Sequence, residues 1–143
     1  MTTWSAWERV SGFESEETVY EKKHRDRGGG VARVLFNRPE QLNAFTGVGM
    51  AEFVRAVHNA NRDPEIGVIV VGGMGDHFGT GGDVRWEAAG GLRGAIPDFD
   101  GALRNCLKPT IAAVKGYCIG GHNHLAYHCD LTIAADTAIF GQN

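Results

Sequence analysis

Two short segments carry the residues best suited to chemistry. Phe78-Gly79-Thr80-Gly81-Gly82-Asp83 and Gly116-Tyr117-Cys118-Ile119-Gly120-Gly121 each follow an apolar run and each lead into a helical pattern. A strand–turn–helix passage leaves the first N–H groups of its helix unpaired. Glycine lets a ligand reach those groups, because no Cβ intervenes. Two such turns side by side can aim two donors at one carbonyl oxygen, as an oxyanion hole does; one donor of that kind is worth about 10²–10³ in rate. A lone glycine turn after a strand is more often only a tight turn. Neither segment reads GxxxxGK[ST], which excludes a P-loop, and neither reads GxGxxG after an early strand. The residues by themselves therefore give an α/β domain with an anion or oxyanion site.

Other side chains offer weaker chemistry. His122, His124 and His128 form HxHxxxH, and His124 and His128 share one helix face. A zincin pattern would need Glu where Leu125 stands, and no third ligand is spaced to complete a site, so no metal is expected. Cys118 abuts the second turn without an activating base, which argues against a nucleophile. Asp83 suits the start of a helix, where a carboxylate complements the dipole. Glu87 lies in the Gly-rich stretch 84–96, expected to be a mobile loop after the first turn; it is a general base if that loop closes and a solvated carboxylate if it does not.

The elements that must hold these turns follow from the apolar pattern. The chain has 143 residues, a net charge of −3 and 43% hydrophobic residues, which excludes disorder and fits one soluble globular domain. No apolar run approaches the ~20 residues of a membrane span. No basic stripe suggests nucleic acid, and no basic-then-apolar start suggests secretion. Three cysteines fit free thiols in a cytoplasmic setting. Residues 1–16 read as an N-terminal extension of uncertain order. Strands are expected at 17–23 and 31–36 as a hairpin, at 67–71 and 110–114 as runs covered on both faces, and at 130–135 and 138–140. Helices are expected from an N-cap at Thr46 to about Asn61, over 97–107, and over 122–128. The chain ends just after an apolar strand, at Phe140-Gly141-Gln142-Asn143, and reads as cut.

The segments NRPEQLNAF (37–45), GDHFGTGGD (75–83), KPTIAAVKGYCIGG (108–121) and CDLTIAADTAIFGQ (129–142) resemble, in order, the crotonase or enoyl-CoA hydratase/isomerase superfamily. TGGD with CDLTIAAD and AIFGQ most resembles the branch of 1,4-dihydroxy-2-naphthoyl-CoA synthase and 2-ketocyclohexanecarboxyl-CoA hydrolase. The resemblance implies a crotonase-like α/β spiral of ββα turns, with residues 17–143 as its N-terminal part and a trimer or hexamer as the full-length assembly. It implies an acyl-CoA thioester substrate, coenzyme A entering as part of it, and lyase or hydrolase chemistry through a thioester enolate.

Site residues follow from the same likeness. Gly82 and Gly121 match the positions whose N–H groups hold the thioester oxygen. Thr80, Gly81, Asp83 and Val84 would line the acyl pocket, Tyr117, Cys118, Ile119 and Gly120 its opposite wall, and the LNAF stretch (42–45, with Leu42 and Ala44) would contact the nucleotide end, with Arg38 either a phosphate partner or a solvated side chain. His124 stands where hydratases carry an acid/base glutamate, and an imidazole with a reference pKa of ~6.5 suits proton transfer. Gln142 and Asn143 match the start of the segment where the synthase branch holds bicarbonate, without completing that site. Val84 replaces the branch's Gln, Leu42 its Arg, and His122-Asn123 its Gly-His, which counts against the naphthoate reaction in particular. The alternative is a non-catalytic short paralogue that binds acyl-CoA or pairs with a longer subunit.

Overall fold

The computed structural model describes residues 2–94 and 97–142. Strand β1 (Glu8–Arg9) runs antiparallel to β2 (Thr18–His24), which forms a hairpin with β3 (Gly30–Phe36). The N-terminal segment is thus partly built in, with Val10 and Phe13 packed on the core. After a one-turn 3-10 helix at Pro39–Gln41, helix α1 (Gly47–Arg62) starts where the Thr46 hydroxyl accepts the Val48 N–H at 3.2 Å. That is the expected N-cap, satisfying one donor of the first turn. Met50, Phe53, Ala56, Val57 and Ala60 recur at helical spacing and are buried against the sheet.

Strand β4 (Ile66–Gly73) pairs parallel with β3, and the chain then passes through the first glycine turn into α2 (Val84–Ala88). A second 3-10 turn (Gly91–Arg93) precedes α3 (Phe99–Arg104). The latter is shorter than the 97–107 expected, because Asp98 caps its start and Asn105 ends it. Strand β5 (Thr110–Val114) pairs parallel with β4. Residues 117–119, expected as part of a turn, instead form β6 (Tyr117–Ile119), which leads into α4 (Gly121–His128). Strand β7 (Leu131–Ala134) joins β5 and β8 (Ile139–Gly141) joins β6, giving a six-stranded sheet β1-β2-β3-β4-β5-β7 and a two-stranded sheet β6-β8. Asp130 fixes the start of β7 by accepting both the N–H and the hydroxyl of Thr110, at 2.7 and 2.8 Å.

The single core lies between the large sheet and the helices, with Phe36 stacked on Phe53 at 5.2 Å. The expectation that strands 67–71 and 110–114 are covered on both faces does not hold in this chain. Ile69, Val71, Ala112 and Val114 face the core, whereas Val68, Val70 and Ala113 do not. Period-2 alternation puts successive side chains on opposite faces, and the core-forming residues of α1, α3 and α4 all join one cluster. The other face is an open groove of about 680 Å³, bounded by Trp7, Leu35, Val70 and Ile133. None of the described helices is long and apolar enough to cross a membrane.

Candidate active site

The two glycine turns lie against each other. Gly79 bridges Cys118: its N–H donates to Tyr117 O, and its carbonyl accepts Ile119 N–H, both at 2.9 Å. Two histidines add a reciprocal brace. His122, at the start of α4 just after the second turn, accepts Gly81 N–H on Nδ1 at 2.9 Å, and His77, before the first turn, accepts Tyr117 N–H on Nδ1 at 3.1 Å while stacking on the Tyr117 ring.

Gly82 is held by Phe45. Phe45 N–H donates to Gly81 O and Asp83 N–H donates to Phe45 O, each at 2.9 Å. Because the residues flanking Gly82 make these bonds, its own N–H points away from Phe45, as alternation along a strand requires. Gly121 is the first residue of α4, so its N–H has no partner within the helix. Among the described residues neither N–H donates a hydrogen bond. Gly81 (φ +87°) and Gly120 (φ +57°) take left-handed conformations that side chains resist, which is why each turn needs glycine there. A Cβ on Gly81 would lie only 3.4 Å from the Gly121 nitrogen, a measure of how closely the turns meet.

Thr80, Gly81, Gly82, Val84, Gly120 and Gly121 line one cavity of about 390 Å³. Its remaining wall is apolar, from Phe45, Met50, Leu92 and Phe99, with the single carboxylate of Glu87. An adjoining groove of about 670 Å³ is bounded by Leu42, Ala44, Asp83 and Trp86 and shares Thr80, Gly82 and Val84 with the cavity. These expected positions are therefore brought together. Tyr117, Cys118 and Ile119 brace the turns from behind and do not line the cavity. Gln142 meets α4, where its Oε1 accepts from Asn123 Nδ2 at 3.3 Å. Asn143 lies outside the described residues.

His124 is placed apart from the cavity lining. Its ring lies 5.2 Å from that of Tyr127 and 6.5 Å from that of His128, and its carbonyl meets His128 Nδ1. Arg104 occupies the other His128 nitrogen at 2.7 Å. Among the described residues no group of three or more His, Cys, Asp or Glu is placed to hold a metal.

Arg38 lines the adjoining groove and is already engaged by protein groups. Its guanidinium contacts Asp83 Oδ2 at 2.9 Å and Glu17 Oε1 at 3.5 Å, and donates to Ala44 O at 2.5 Å. Asp83 also caps α2 by accepting Arg85 N–H at 2.9 Å and Trp86 N–H at 3.3 Å. The Arg38 guanidinium, helped by those N–H groups, holds the Asp83 carboxyl below the usual range. Burial pushes the Cys118 thiol up to about 12, which makes it inert as a nucleophile. Burial also pushes the fully buried His122 imidazole down to about 3, so the ring is neutral.

Asn43, inside the stretch expected at the nucleotide end, is a positioning residue instead. Its side chain accepts Arg38 N–H at 3.0 Å and donates to Met74 O and His77 O, at 2.9 and 2.8 Å, tying the 37–44 turn to the first glycine turn. A polar residue inside an otherwise apolar LNAF stretch was the available signal.

The enoyl-CoA hydratase/isomerase family model matches residues 26–143. Among solved structures, an enoyl-CoA hydratase/isomerase from Xanthobacter autotrophicus Py2 is 33% identical with a TM-score of 0.75, over 90% of this chain and 49% of its own. An enoyl-CoA hydratase/carnitine racemase from Magnetospirillum magneticum is 27% identical with a TM-score of 0.77, over 90% of this chain and 50% of its own. The chain thus spans about half the length of the structures it matches. With a family model covering most of its residues, and with the family's glycine turns packed together as described, the chain belongs to the enoyl-CoA hydratase/isomerase family.

Proposed function

We propose that the chain binds an acyl-CoA thioester and stabilises its enolate, with the N–H groups of Gly82 and Gly121 as the two donors to the thioester oxygen. The observation that carries this reading is a pair of unpartnered N–H groups from two abutting turns, both on glycines that line one cavity. Donors fixed by a backbone bridge at Gly82 and a helix start at Gly121 need no reorganisation as charge develops on oxygen, which makes them effective. The apolar wall of Phe45, Met50, Leu92 and Phe99 suits a hydrocarbon acyl chain, and the adjoining groove with Leu42 and Ala44 would take the pantetheine and nucleotide arm. An enolate serves hydration, ring closure and ring-opening hydrolysis alike, so lyase and hydrolase outcomes share this step.

Acetoacetyl-CoA provides the test, because its enolate absorbs in the near ultraviolet. Titration into the chain should give a saturable enolate band. Binding without a band would favour the non-catalytic binding reading, and neither binding nor a band would overturn the acyl-CoA assignment.

A further inference from the structure

We propose that Glu87 is the catalytic residue that moves the substrate's α-proton, an inference that rests on the acyl-CoA reading above. The Asp83 cap starts α2, and the Glu87 N–H donates to Asp83 O at 2.9 Å. One helical turn therefore returns Glu87 over the glycine that precedes the helix. A Cβ built on Gly82 would fall on Glu87 Oε1 and lie 3.0 Å from Glu87 Cδ. The carboxylate thus sits directly beside one of the two oxygen donors.

Three further observations fit this role. Glu87 supplies the only ionisable side chain among the described residues that line the cavity. Among the described residues its carboxylate makes no ion pair and no hydrogen bond, so no structural duty occupies it. His124, the residue at the position where hydratases carry glutamate, lies outside the lining with its ring against Tyr127.

The step balances without a co-reactant. With the thioester oxygen on Gly82 and Gly121, the α-carbon lies one bond beyond the carbonyl carbon, within reach of a base beside Gly82. The Glu87 carboxylate takes the α-proton, the C–H electron pair forms the C=C bond, and the C=O π pair moves to oxygen as the enolate. The Glu87 carboxylic acid then returns the proton to carbon. A positioned carboxylate of this kind contributes about 10²–10⁴ in rate.

Exchange of the α-protons of butyryl-CoA for deuterium in D₂O, followed by NMR, reads this step whatever the overall reaction is. The wild-type chain should exchange. Glu87→Gln should lose about a hundredfold or more while binding butyryl-CoA within twofold of wild type by calorimetry, and Glu87→Asp, which keeps the carboxylate, should retain part of the rate with a displaced pH profile. Wild-type exchange that persists in Glu87→Gln, or that is lost instead in His124→Asn, would overturn the assignment to Glu87 and leave the acyl-CoA reading intact. A wild-type chain that binds butyryl-CoA without exchanging it would also overturn Glu87. One that neither binds nor exchanges would overturn the acyl-CoA reading itself.

Discussion

The imidazole of His122 accepts the backbone N–H of Gly81 across the two glycine turns at 2.9 Å. Because Nδ1 is the acceptor, the ring proton resides on Nε2, which is buried with no hydrogen-bond partner among the described residues; the ring itself packs T-shaped against Phe36 and Phe78, with centroids 4.4 and 5.9 Å away. The bond is made deep in the core, so removing the acceptor strands a buried donor. His122→Ala should cost about 2–4 kcal/mol in chemical denaturation, combining a cavity with an orphaned N–H. His122→Asn offers Oδ1 in the same region and should recover part of that loss; equal losses for Ala and Asn would remove the hydrogen bond from the account.

The same ring makes a pH prediction. Burial lowers its pKa from 6.5 to about 3, so between those values the unfolded chain binds a proton that the folded chain does not. Stability from this group is complete above the unfolded value and falls as pH drops from 6.5 toward 3, by about 1.4 kcal/mol per unit. Asp83, held down by the Arg38 guanidinium, and Asp130, held down by the Thr110 N–H, act in the same sense at lower pH: their contribution is present above 3.8 and is lost as pH falls through their folded values. Denaturation midpoints measured from pH 7 to pH 4 should therefore decline, and more shallowly in His122→Asn. An unchanged slope in that variant would assign the acid sensitivity to other groups.

Arg38 and Asp83 should behave as a coupled pair, not as a ligand and a cap acting separately. Their contact at 2.9 Å joins the 37–44 turn to the start of α2. A double-mutant cycle with Arg38→Ala and Asp83→Ala, read by thermal melting, should return a coupling of about 0.5–3 kcal/mol. Strict additivity would return Arg38 to the pool of side chains free to meet a phosphate.

Alanine at Gly82 and at Gly121, the two proposed oxygen donors, should give opposite profiles. At Gly82 the new Cβ meets Glu87 Oε1, the end of a flexible side chain, so the fold tolerates it within about 1 kcal/mol while the carboxylate is displaced. At Gly121 the new Cβ would sit 2.6 Å from Phe45 Cζ, in a ring packed 5.4 Å from Phe99 and 5.0 Å from His122. Overpacking there should cost about 1–3 kcal/mol. Melting temperatures paired with butyryl-CoA exchange rates would separate the two: Gly82→Ala should keep its melt and lose exchange, and the reverse would contradict the placement of Glu87.

The glycine turns, the Thr46 cap and the strand at 110–114 are all legible in local sequence, because each depends on residues within one or two turns of chain. The open sheet face is not: a β-branched run such as Val68–Val71 states that a strand can be buried, and only the placement of the helices decides which face is. Glu87 was readable as a base only on condition that its loop closed. What closes it is the Asp83 cap, which makes 84–88 a helix and folds Glu87 back over Gly82. The ion pairs of Arg38 were not legible for a similar reason, since its partners Glu17 and Asp83 lie far from it in sequence and nothing local announces them.

The imidazole that braces the turns also fills space that belongs to another residue. A Cβ at Gly79 would clash with the His122 ring, although one position sits on the first glycine turn and the other on α4. Position 79 is therefore closed to any side chain as long as His122 is present, and a smaller residue at 122 would open it. Substitutions there are order-dependent: a change at 122 must come first, and a library varying position 79 alone should return only glycine.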